Sequence, residues 1–564
     1  MSLYRYQAPL DEMRFVIEQV LKAPEHWAAM PALAELDAAT AAEVLAQAAR
    51  FASERLQPLN AAGDRQGCRI EGGRVKTPDG FAAAWRNFVD GGWPALASAP
   101  AWGGQGLPQL LNAALFEMLV AANHAWTMYP GLLHGACETI QAHASDDLKQ
   151  RYLPRLVSGE WLAAMALTEP QAGSDLGAVR TRAEPQADGS LAVTGGKIFI
   201  SGGDHDLGDN IVHLVLCRLQ DAANPAPPGS KGLSLALVPS VLPDGRRNAL
   251  SVDGLEIKMG IHGSATCVMH YDGATGWLIG EPHRGLPAMF VMMNAARLHV
   301  ALQGLGHLEM ATQNAERYAA ERVQFKRALG QQPAIRRSLD RLRVVAEGLR
   351  VLMYRAAMRL DEAEHHPDPA RRSAAAAEAS ILTPVLKAFG TEQGFLGASD
   401  ALQVWGGYGY VADYGIEQTL RDARIAMIYE GTNQIQAIDL VQRKLFGGAG
   451  PAFEALLQDL LQDAGDDEAG AALRAQLQMA RQTLLVVREA AAGDVEAPLR
   501  AADDLLAGIG HLLLFWAWAA TLRARPDDAL RRARVHSGLQ QLLPQGEMHW
   551  RRAASAARPQ PGTD

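Results

Sequence analysis

The chain is poor in cysteine and carries no excess of basic charge. Its 564 residues include four cysteines, and no Cys-x-x-Cys pair occurs among them. Neither a zinc knuckle nor a disulfide framework is therefore indicated, and a reduced, cytoplasmic compartment fits this composition. The formal net charge of -9 argues against a generic nucleic-acid-binding protein.

Several catalytic and targeting signatures are also absent. No Gly-x-Gly-x-x-Gly follows a strand-like run, and no P-loop sequence occurs. The nucleophile elbow of serine hydrolases is missing too, and no metal site is predicted. The first residues contain acids and no apolar core of a leader sequence, so no signal peptide is predicted.

One apolar run approaches the length of a membrane span. Residues 505–522 are apolar all round, but Gly508, Gly510 and His511 interrupt the run, and no second candidate is evident. We interpret it as a buried helix of an all-α domain. Contact with a membrane surface is the alternative interpretation.

The apolar pattern changes along the chain and predicts a succession of segments. Residues 1–38 form an N-terminal arm, and residues 39–162 alternate Ala-rich amphipathic runs with glycine turns, which predicts an α-helical domain. Residues 163–282 hold short β-branched runs between Gly and Asp turns, which predicts a small antiparallel sandwich or barrel. Helical periodicity returns in residues 283–446, where a four-helix bundle is expected.

A glycine-rich linker separates a last helical segment from the rest. The sequence GGAGP occupies residues 447–451, and residues 452–556 are predicted to form an additional helical domain. This segment contains no lysine, and its arginines roughly balance its acids. The chain as a whole is therefore predicted to be mainly α with a central β domain.

The most informative motif is Tyr429-Glu430-Gly431-Thr432. Thr432 precedes an apolar stripe at helical spacing and is predicted to be an N-cap, which places Glu430 on the loop before a helix. A carboxylate on such a loop, next to apolar surface, can act as a general base, and Gly431 lets the backbone approach a ligand closely. The alternative is an acid that only complements the helix dipole.

This motif resembles the acyl-CoA dehydrogenase family, in which a Tyr-Glu-Gly-Thr sequence carries the catalytic base. Four further stretches follow the family's order, namely LTEPQAGSD at 167–175, KIFIS at 197–201, RVQF at 322–325 and QVWGGYG at 403–409. The resemblance spans about residues 91–445. It implies an N-terminal α domain, a middle antiparallel β domain and a C-terminal four-helix bundle, to which the additional helical domain is attached.

The resemblance implies an FAD-dependent α,β-dehydrogenation of an acyl-CoA thioester to the trans-2-enoyl-CoA. Glu430 is expected to remove the α proton, and flavin N5 to accept the hydride. FAD contacts are implied for Leu167, Thr168, Ser174, Phe199, Ser201, Arg322, Gln324, Phe325, Gln403, Gly406, Gly407, Thr432 and Gln434. Substrate contacts are implied for Ser174, Arg297, Tyr429 and Gly431.

A few positions test or depart from the family's pattern. Some relatives carry the base just before the position of Arg297, but Ala296 stands there in this chain, so Glu430 is the predicted base. Phe199 and Ser201 stand where many members have Trp and Thr. Lys326 follows Phe325 where many members have Gly.

The N-terminal tyrosines and the additional domain narrow the resemblance to the bacterial 3-methylmercaptopropionyl-CoA dehydrogenase-type subgroup. The implied substrate is 3-methylthiopropanoyl-CoA or a short- or medium-chain acyl-CoA, as in fatty acid β-oxidation. An electron-transfer flavoprotein is the implied electron acceptor. A homo-oligomer is expected, with a dimer favoured because the additional domain would cover a surface that tetrameric relatives use.

Two other activities on the same fold stay open. An acyl-CoA oxidase would pass its electrons to oxygen. A DNA-associated relative of the alkylation response would need a basic C-terminal surface, and the lysine-free last segment does not provide one. No nucleic-acid partner is therefore expected.

Overall fold

The computed structural model describes residues 4–558, so the first three residues of the predicted arm lie outside it. The helices, in chain order, are α1 Leu10–Phe15, α2 Ala23–Ala28, α3 Ala38–Phe51, α4 Gln57–Gln66, α5 Phe81–Asp90, α6 Gln109–His143, α7 Asp146–Val157, α8 Gly285–Glu321, α9 Pro333–His365, α10 Pro369–Trp405, α11 Ile416–Ala423, α12 Asn433–Asp439, α13 Gly450–Gln462, α14 Glu468–Ala491, α15 Ala497–Arg500, α16 Ala502–Ala524 and α17 Ala529–Ala556. The strands are β1 Arg69–Glu71, β2 Arg74–Lys76, β3 Trp161–Ala166, β4 Arg182–Pro185, β5 Leu191–Ser201, β6 Asn210–Leu219, β7 Ser234–Pro239, β8 Leu250–Leu255, β9 Thr266–Ile279, β10 Val323–Gln324 and β11 Arg327–Ala328.

Several helices begin where a short polar side chain caps them. The Asp37 side chain accepts a hydrogen bond from the backbone N–H of Thr40 at the start of α3. Ser145 accepts from Leu148 at the start of α7, and Asp467 caps α14 in the same manner. Each cap satisfies a backbone N–H that the helix itself leaves without a partner.

The chain divides into two compact units. The first takes in the residues up to 53, residues 108–122 and those from 297 onwards, and the second consists of residues 54–107 and 123–296. Because two of these boundaries fall inside the long helices α6 and α8, the units cut across the segments predicted from the sequence. The boundaries of those segments stay a prediction.

The second unit contains a small β domain, as predicted. The pairings β6–β4–β5–β9–β7 return to β6 and close a ring of five strands, while β3 joins β6 and β8 joins β9. Its interior is apolar and includes Val193, Ile211, Val215, Met269 and Tyr271. The domain is not purely antiparallel as predicted, because β6 pairs in parallel with both β3 and β4, and the sheet is therefore mixed. Parallel neighbours need long connections, which strand patterns do not reveal.

A short hairpin interrupts the part of the chain that was predicted to be helical. Strands β1 and β2 pair antiparallel through the turn Gly72-Gly73, and both glycines have positive φ. Two residues with positive φ form the turn that suits the twist of a two-residue hairpin. The strands have three residues each, too few for a period-2 pattern to be recognised.

In the first unit, glycines allow helices α8 and α10 to meet backbone to backbone. A Cβ on Gly304 of α8 would lie 2.3 Å from the carbonyl oxygen of Gly390 on α10. A Cβ on Gly394 would lie 2.4 Å from the carbonyl oxygen of Gly304. Larger side chains would therefore separate the two helices.

Helix α16 is the buried helix that the apolar run 505–522 predicted. All residues from Leu505 to Leu522 are buried, and a Cβ on Gly510 would lie 2.4 Å from the Phe389 ring of α10. Within the described part of the chain, α16 and α8 are the two helices long and apolar enough to cross a membrane by length and composition. Helix α8 was not recognised as such a candidate, because its apolar stripe is interrupted by polar residues.

Candidate active site

Glu430 lies in a left-handed backbone conformation immediately before α12. Its φ is +56°, which is uncommon for a residue other than glycine, and Gly431 follows with a φ of +83°. The Thr432 hydroxyl accepts a hydrogen bond of 3.3 Å from the backbone N–H of Ile435, which confirms Thr432 as the N-cap of α12. Strained backbone of this kind is found preferentially at functional sites.

Two buried side chains hold this loop through hydrogen bonds to its carbonyl oxygens. The Gln436 amide donates to the carbonyl oxygens of Glu430 and Gly431, at 3.1 and 3.2 Å. The Lys387 amine, which is fully buried on α10, donates to the carbonyl oxygen of Gly431 at 2.7 Å and to Asn433 Oδ1 at 3.1 Å. The unusual conformation of Glu430 is therefore fixed by both α10 and α12.

The surroundings of Glu430 bring the pKa of its carboxyl close to neutral pH. Burial raises the pKa of its carboxyl to about 7, although the charges of Arg297 and Lys387 act to lower it. Burial also lowers the pKa of the Lys387 amine to about 7, against the opposing effect of Glu430. A carboxylate whose pKa lies near the working pH has the property that a general base needs.

Arg297 and Tyr429 complete the surroundings of this loop. Arg297 is buried on α8, and its guanidinium lies 3.6 Å from the Asp439 carboxylate at the end of α12. The Tyr429 hydroxyl donates to the side-chain oxygen of Gln303 on α8. These contacts link α8 to the loop, and the predicted contacts of Arg297, Tyr429 and Gly431 with a substrate stay predictions.

In the second unit, a buried ion pair joins two of the predicted flavin-binding stretches. The Lys197 amine lies 2.9 Å from a Glu169 carboxylate oxygen and also donates to the carbonyl oxygen of Leu167 at 2.8 Å. The Ile198 N–H donates to the carbonyl oxygen of Thr168 at 2.9 Å. Residues 167–175 and 197–201 are therefore side by side. Burial acts to raise the pKa of Glu169, but Lys197 together with hydrogen bonds from Thr181 and Arg180 lowers it to about 2.

An exposed aromatic side chain, Phe199, lies within residues 197–201. Phe199 lies where the register of β5 against β9 shifts between Lys197 and Ile200, and its φ is +59°. Its side chain is 58% exposed, which leaves much of the ring accessible to a ligand. Ser174 is exposed, and Thr168 and Ser201 are half-buried.

The first unit brings together the other two stretches that were predicted to bind the flavin. The Arg322 guanidinium lies 5.3 Å from the centre of the Tyr408 ring, which joins residues 322–325 to residues 403–409. Phe325 and Lys326 form the tip of the β10–β11 hairpin with φ values of +52° and +63°, and Phe325 is 89% exposed. A Cβ at Gly406 or Gly407 would meet no atom within 4 Å, so this backbone is open. The side chains of Gln324, Gln403 and Gln434 are exposed.

Sequence reasoning missed the residues that support these groups. Lys387, Gln436 and Gln303 were not singled out, and Glu169 and Lys197 were quoted within motifs but given no role. One signal was present for Lys387, since it interrupts an apolar stretch of a helix between Leu386 and Phe389. A lysine at such a position is rarely buried unless it has a partner.

Comparison with known proteins identifies the family. The acyl-CoA dehydrogenase N-terminal, middle and C-terminal domain models match residues 39–160, 164–274 and 283–445. The chain belongs to the acyl-CoA dehydrogenase family. It is therefore an FAD-dependent oxidoreductase that dehydrogenates acyl-CoA thioesters, as the resemblance implied.

Relatives of this acyl-CoA dehydrogenase include two bacterial enzymes that cover most of its length. It is 42% identical to the 3-methylmercaptopropionyl-CoA dehydrogenase of Ruegeria pomeroyi, over 79% of this chain and 77% of the relative. It is 36% identical to the broad-specificity linear acyl-CoA dehydrogenase FadE5 of Mycobacterium tuberculosis, over 77% and 74% of the two chains. Its fold is similar to that of Caenorhabditis elegans ACDH-11 in complex with C11-CoA, with a TM-score of 0.78, 20% identity and coverage of 96% and 92%.

The residues of this acyl-CoA dehydrogenase fit a large cofactor with a planar ring and a diphosphate. An exposed aromatic ring in strained backbone, Phe199, suits a planar ring. Arg322 offers a guanidinium fork for phosphate oxygens, and the open backbone at Gly406 and Gly407 allows close approach of a ligand. The donor set therefore agrees with FAD.

Proposed function

We propose that Glu430 is the catalytic base of this acyl-CoA dehydrogenase and removes the α proton of the thioester. The observation that supports this role is the Glu430 carboxylate itself, on a strained loop held by Lys387 and Gln436, with a pKa that burial raises to about 7. At neutral pH such a group is ionised in a substantial fraction of molecules and still binds a proton well.

The residues around Glu430 would bind the thioester and activate it for loss of the α proton. Bound FAD supplies the acceptor for the hydrogen that leaves the β carbon. We propose that the backbone N–H of Glu430 polarises the thioester carbonyl, which makes the α proton more acidic. Substrate binding excludes water from the carboxylate and raises its proton affinity further.

The same proposal includes the residues that bind FAD and the substrate. In the second unit, we propose Leu167, Thr168, Ser174, Phe199 and Ser201 as FAD-binding residues, and in the first unit Arg322, Gln324, Phe325, Gln403, Gly406, Gly407, Thr432 and Gln434. We propose Ser174, Arg297, Tyr429 and Gly431 as substrate-binding residues. The buried Glu169–Lys197 pair and the Arg322–Tyr408 contact support this assignment, because they hold the stretches in place.

We propose a short or medium straight-chain acyl-CoA as the substrate. One candidate is 3-methylthiopropanoyl-CoA, which is also called 3-methylmercaptopropionyl-CoA. The names of the two relatives support this range, since one acts on that thioester and the other on linear acyl-CoA substrates. An anaerobic titration with 3-methylthiopropanoyl-CoA, butanoyl-CoA and a long-chain thioester tests it. The substrate will bleach the flavin absorbance band at the lowest concentration, and a preference for the long chain would contradict the proposal.

We further propose a cytoplasmic homodimer that passes its electrons to an electron-transfer flavoprotein. The four cysteines are all free, which agrees with a reduced compartment. The aromatic side chains of Phe325 and Tyr410 are largely exposed, as expected of a surface that a second copy covers. Sedimentation of the holoenzyme tests the dimer, and rapid hydrogen peroxide production in air would indicate an oxidase instead.

The variant Glu430→Gln tests the base directly. Glutamine keeps the size of the side chain but cannot accept the proton, so turnover should fall by at least about a hundredfold while FAD stays bound. Flavin absorbance measures the cofactor, and dye reduction with the best thioester measures turnover. Glu392 is a half-buried carboxylate on α10, and the control variant Glu392→Gln should change turnover less than twofold. Normal turnover in Glu430→Gln would refute the assignment.

A further inference from the structure

We propose that Lys387 is a positioning residue that fixes the Gly431 peptide and, through its charge, favours the ionised form of the Glu430 carboxylate. This inference rests on the proposed role of Glu430 as the base. It assigns a function to a buried amine on α10 that lies outside every motif used above.

The contacts of Lys387 show a side chain directed at the base loop. Its amine is inaccessible to solvent and donates to the carbonyl oxygen of Gly431 at 2.7 Å and to Asn433 Oδ1 at 3.1 Å. Both of these acceptors are neutral. An ammonium group without a carboxylate in contact is costly to bury, so its charge has to be balanced from a longer distance.

Asn433 adds further hydrogen bonds between the base loop and α10. Its amide nitrogen donates to the carbonyl oxygen of Ala388 at 3.1 Å, and its side-chain oxygen also accepts from the Thr391 hydroxyl at 3.4 Å. Lys387 and Asn433 therefore fasten the loop to one turn of α10. A neutral donor could also hold the Gly431 carbonyl and would cost less to bury, so the charge of Lys387 is accounted for by its effect on Glu430.

The charges that face Glu430 come from two helices. Arg297 approaches from α8, but its charge is partly neutralised by Asp439, which lies 3.6 Å away and also pairs with Arg443. Lys387 approaches from α10 with neutral contacts only. Burial raises the pKa of Glu392, elsewhere on α10, with smaller opposing effects of His549 and Asp503. Neither His549 nor Asp503 is among the groups that shift the pKa of Glu430.

The pKa values of Glu430 and Lys387 agree with an electrostatic effect of one group on the other. Burial raises the pKa of Glu430 to about 7, and Arg297 and then Lys387 lower it from the higher value that burial alone would give. The negative charge of Glu430 in turn supports the protonated form of Lys387, whose pKa burial lowers to about 7. Loss of the Lys387 charge should therefore make Glu430 harder to ionise.

The test is the pH dependence of kcat/KM in Lys387→Met, with the holoenzyme and the best thioester from the panel. The acid limb should move to higher pH by about one unit, which is an about tenfold loss at pH 6 and a change of less than about threefold at pH 9. A purely structural role would lower the rate equally at every pH. A uniform fall with an unmoved acid limb would therefore overturn the inference.

Two further variants keep the test valid if Lys387→Met does not fold. Lys387→Gln retains a donor for the Gly431 carbonyl without the charge and should show the same displaced limb. Lys387→Arg retains the charge and should leave the limb in place. The opposite outcome in either variant would contradict a role for the charge.

A matched control and Glu430→Gln separate the two proposals. Lys444 is a half-buried lysine that donates to the Ser380 hydroxyl of α10, not to the base loop, so Lys444→Met should leave the pH profile unchanged. If Glu430→Gln retains turnover, the proposed base is wrong. If Glu430→Gln is inactive but Lys387→Met has the wild-type profile, only the inference about Lys387 fails.

Discussion

At the scale of single residues, Glu430 shows how a weak base becomes a suitable one. A solvated glutamate has a pKa near 4.5 and would remove an α proton poorly. Here burial raises the pKa to about 7, and the left-handed backbone at Glu430 is held by hydrogen bonds from Lys387 and Gln436. Burial therefore determines how strongly the carboxylate binds a proton, and the two hydrogen-bond donors hold the backbone that positions it.

We expect kcat/KM to rise with pH along an acid limb with an apparent pKa near 7. The sign follows from the requirement for ionised Glu430, whose pKa is raised by burial. Because Lys387 titrates in the same range, the limb belongs to the pair and not to one residue. A rate profile from pH 5.5 to 9 checks this, and an acid limb near 4.5 would show that Glu430 is solvated in the free enzyme.

At the scale of secondary structure, the contact between α8 and α10 places the charged neighbours of the base. Helix α8 carries Arg297, and α10 carries Lys387. Their backbones come together because Gly304 and Gly394 have no side chains. The close approach of two helices is thus a condition for the electrostatics of the loop that follows them.

The variant Gly304→Ala should disturb this contact. The new Cβ would lie 2.3 Å from the Gly390 carbonyl oxygen, so the helices have to separate, at a cost of roughly 1–3 kcal/mol in the free energy of unfolding. Chemical denaturation measures the loss. The control is Gly330→Ala, whose Cβ would meet no atom closer than 3.5 Å and which should change stability by less than about 0.5 kcal/mol. Equal stability of both variants would mean that the contact is not close.

At the scale of the whole chain, Arg531 connects distant parts of the first unit. Its guanidinium, on α17, lies 2.6 Å from the Glu12 carboxylate of α1 and 3.0 Å from that of Glu347 on α9. Burial, followed by the nearby Glu12, raises the pKa of Glu347 to about 7, and Arg531 and Arg534 oppose this effect. The N-terminal arm and the last helix therefore depend on each other through one buried cation.

Removal of this cation in Arg531→Met should destabilise the protein more at pH 8 than at pH 5. An acid whose folded pKa lies above its unfolded value of 4.5 weakens the fold as pH rises from 4.5 through 7, and loss of Arg531 increases that weakening. We expect a loss of roughly 3–5 kcal/mol at pH 8, as for other broken buried pairs. Denaturation at both pH values measures it.

The control for this variant is Arg551→Met on the same helix. Arg551 is exposed and lies 3.5 Å from Glu547, so its loss should have little effect at either pH. An equal loss at pH 5 and pH 8 in Arg531→Met would show that Glu347 does not titrate in the folded protein over this range.

Much of the fold could be predicted because its signals are local. The change from helical to strand-like texture near residue 163, the buried run 505–522 and the N-cap Thr432 all depend on neighbours in sequence. The two-residue turns and the parallel pairing of β3 and β4 with β6 could not be predicted. Pairing between distant strands depends on the route of the connections, which periodicity does not encode.

The sequence by itself determined the family, the cofactor class and the predicted base, because these depend on short motifs in a fixed order. The tertiary structure alone decided that Lys387 of α10 lies beneath the Gly431 peptide, that Lys197 pairs with Glu169, and that Arg297 is buried beside Asp439. The physical reason is that burial and charge act through space. The pKa of Glu430 is the sum of effects from helices far apart in the chain, and only their packing sets the distances.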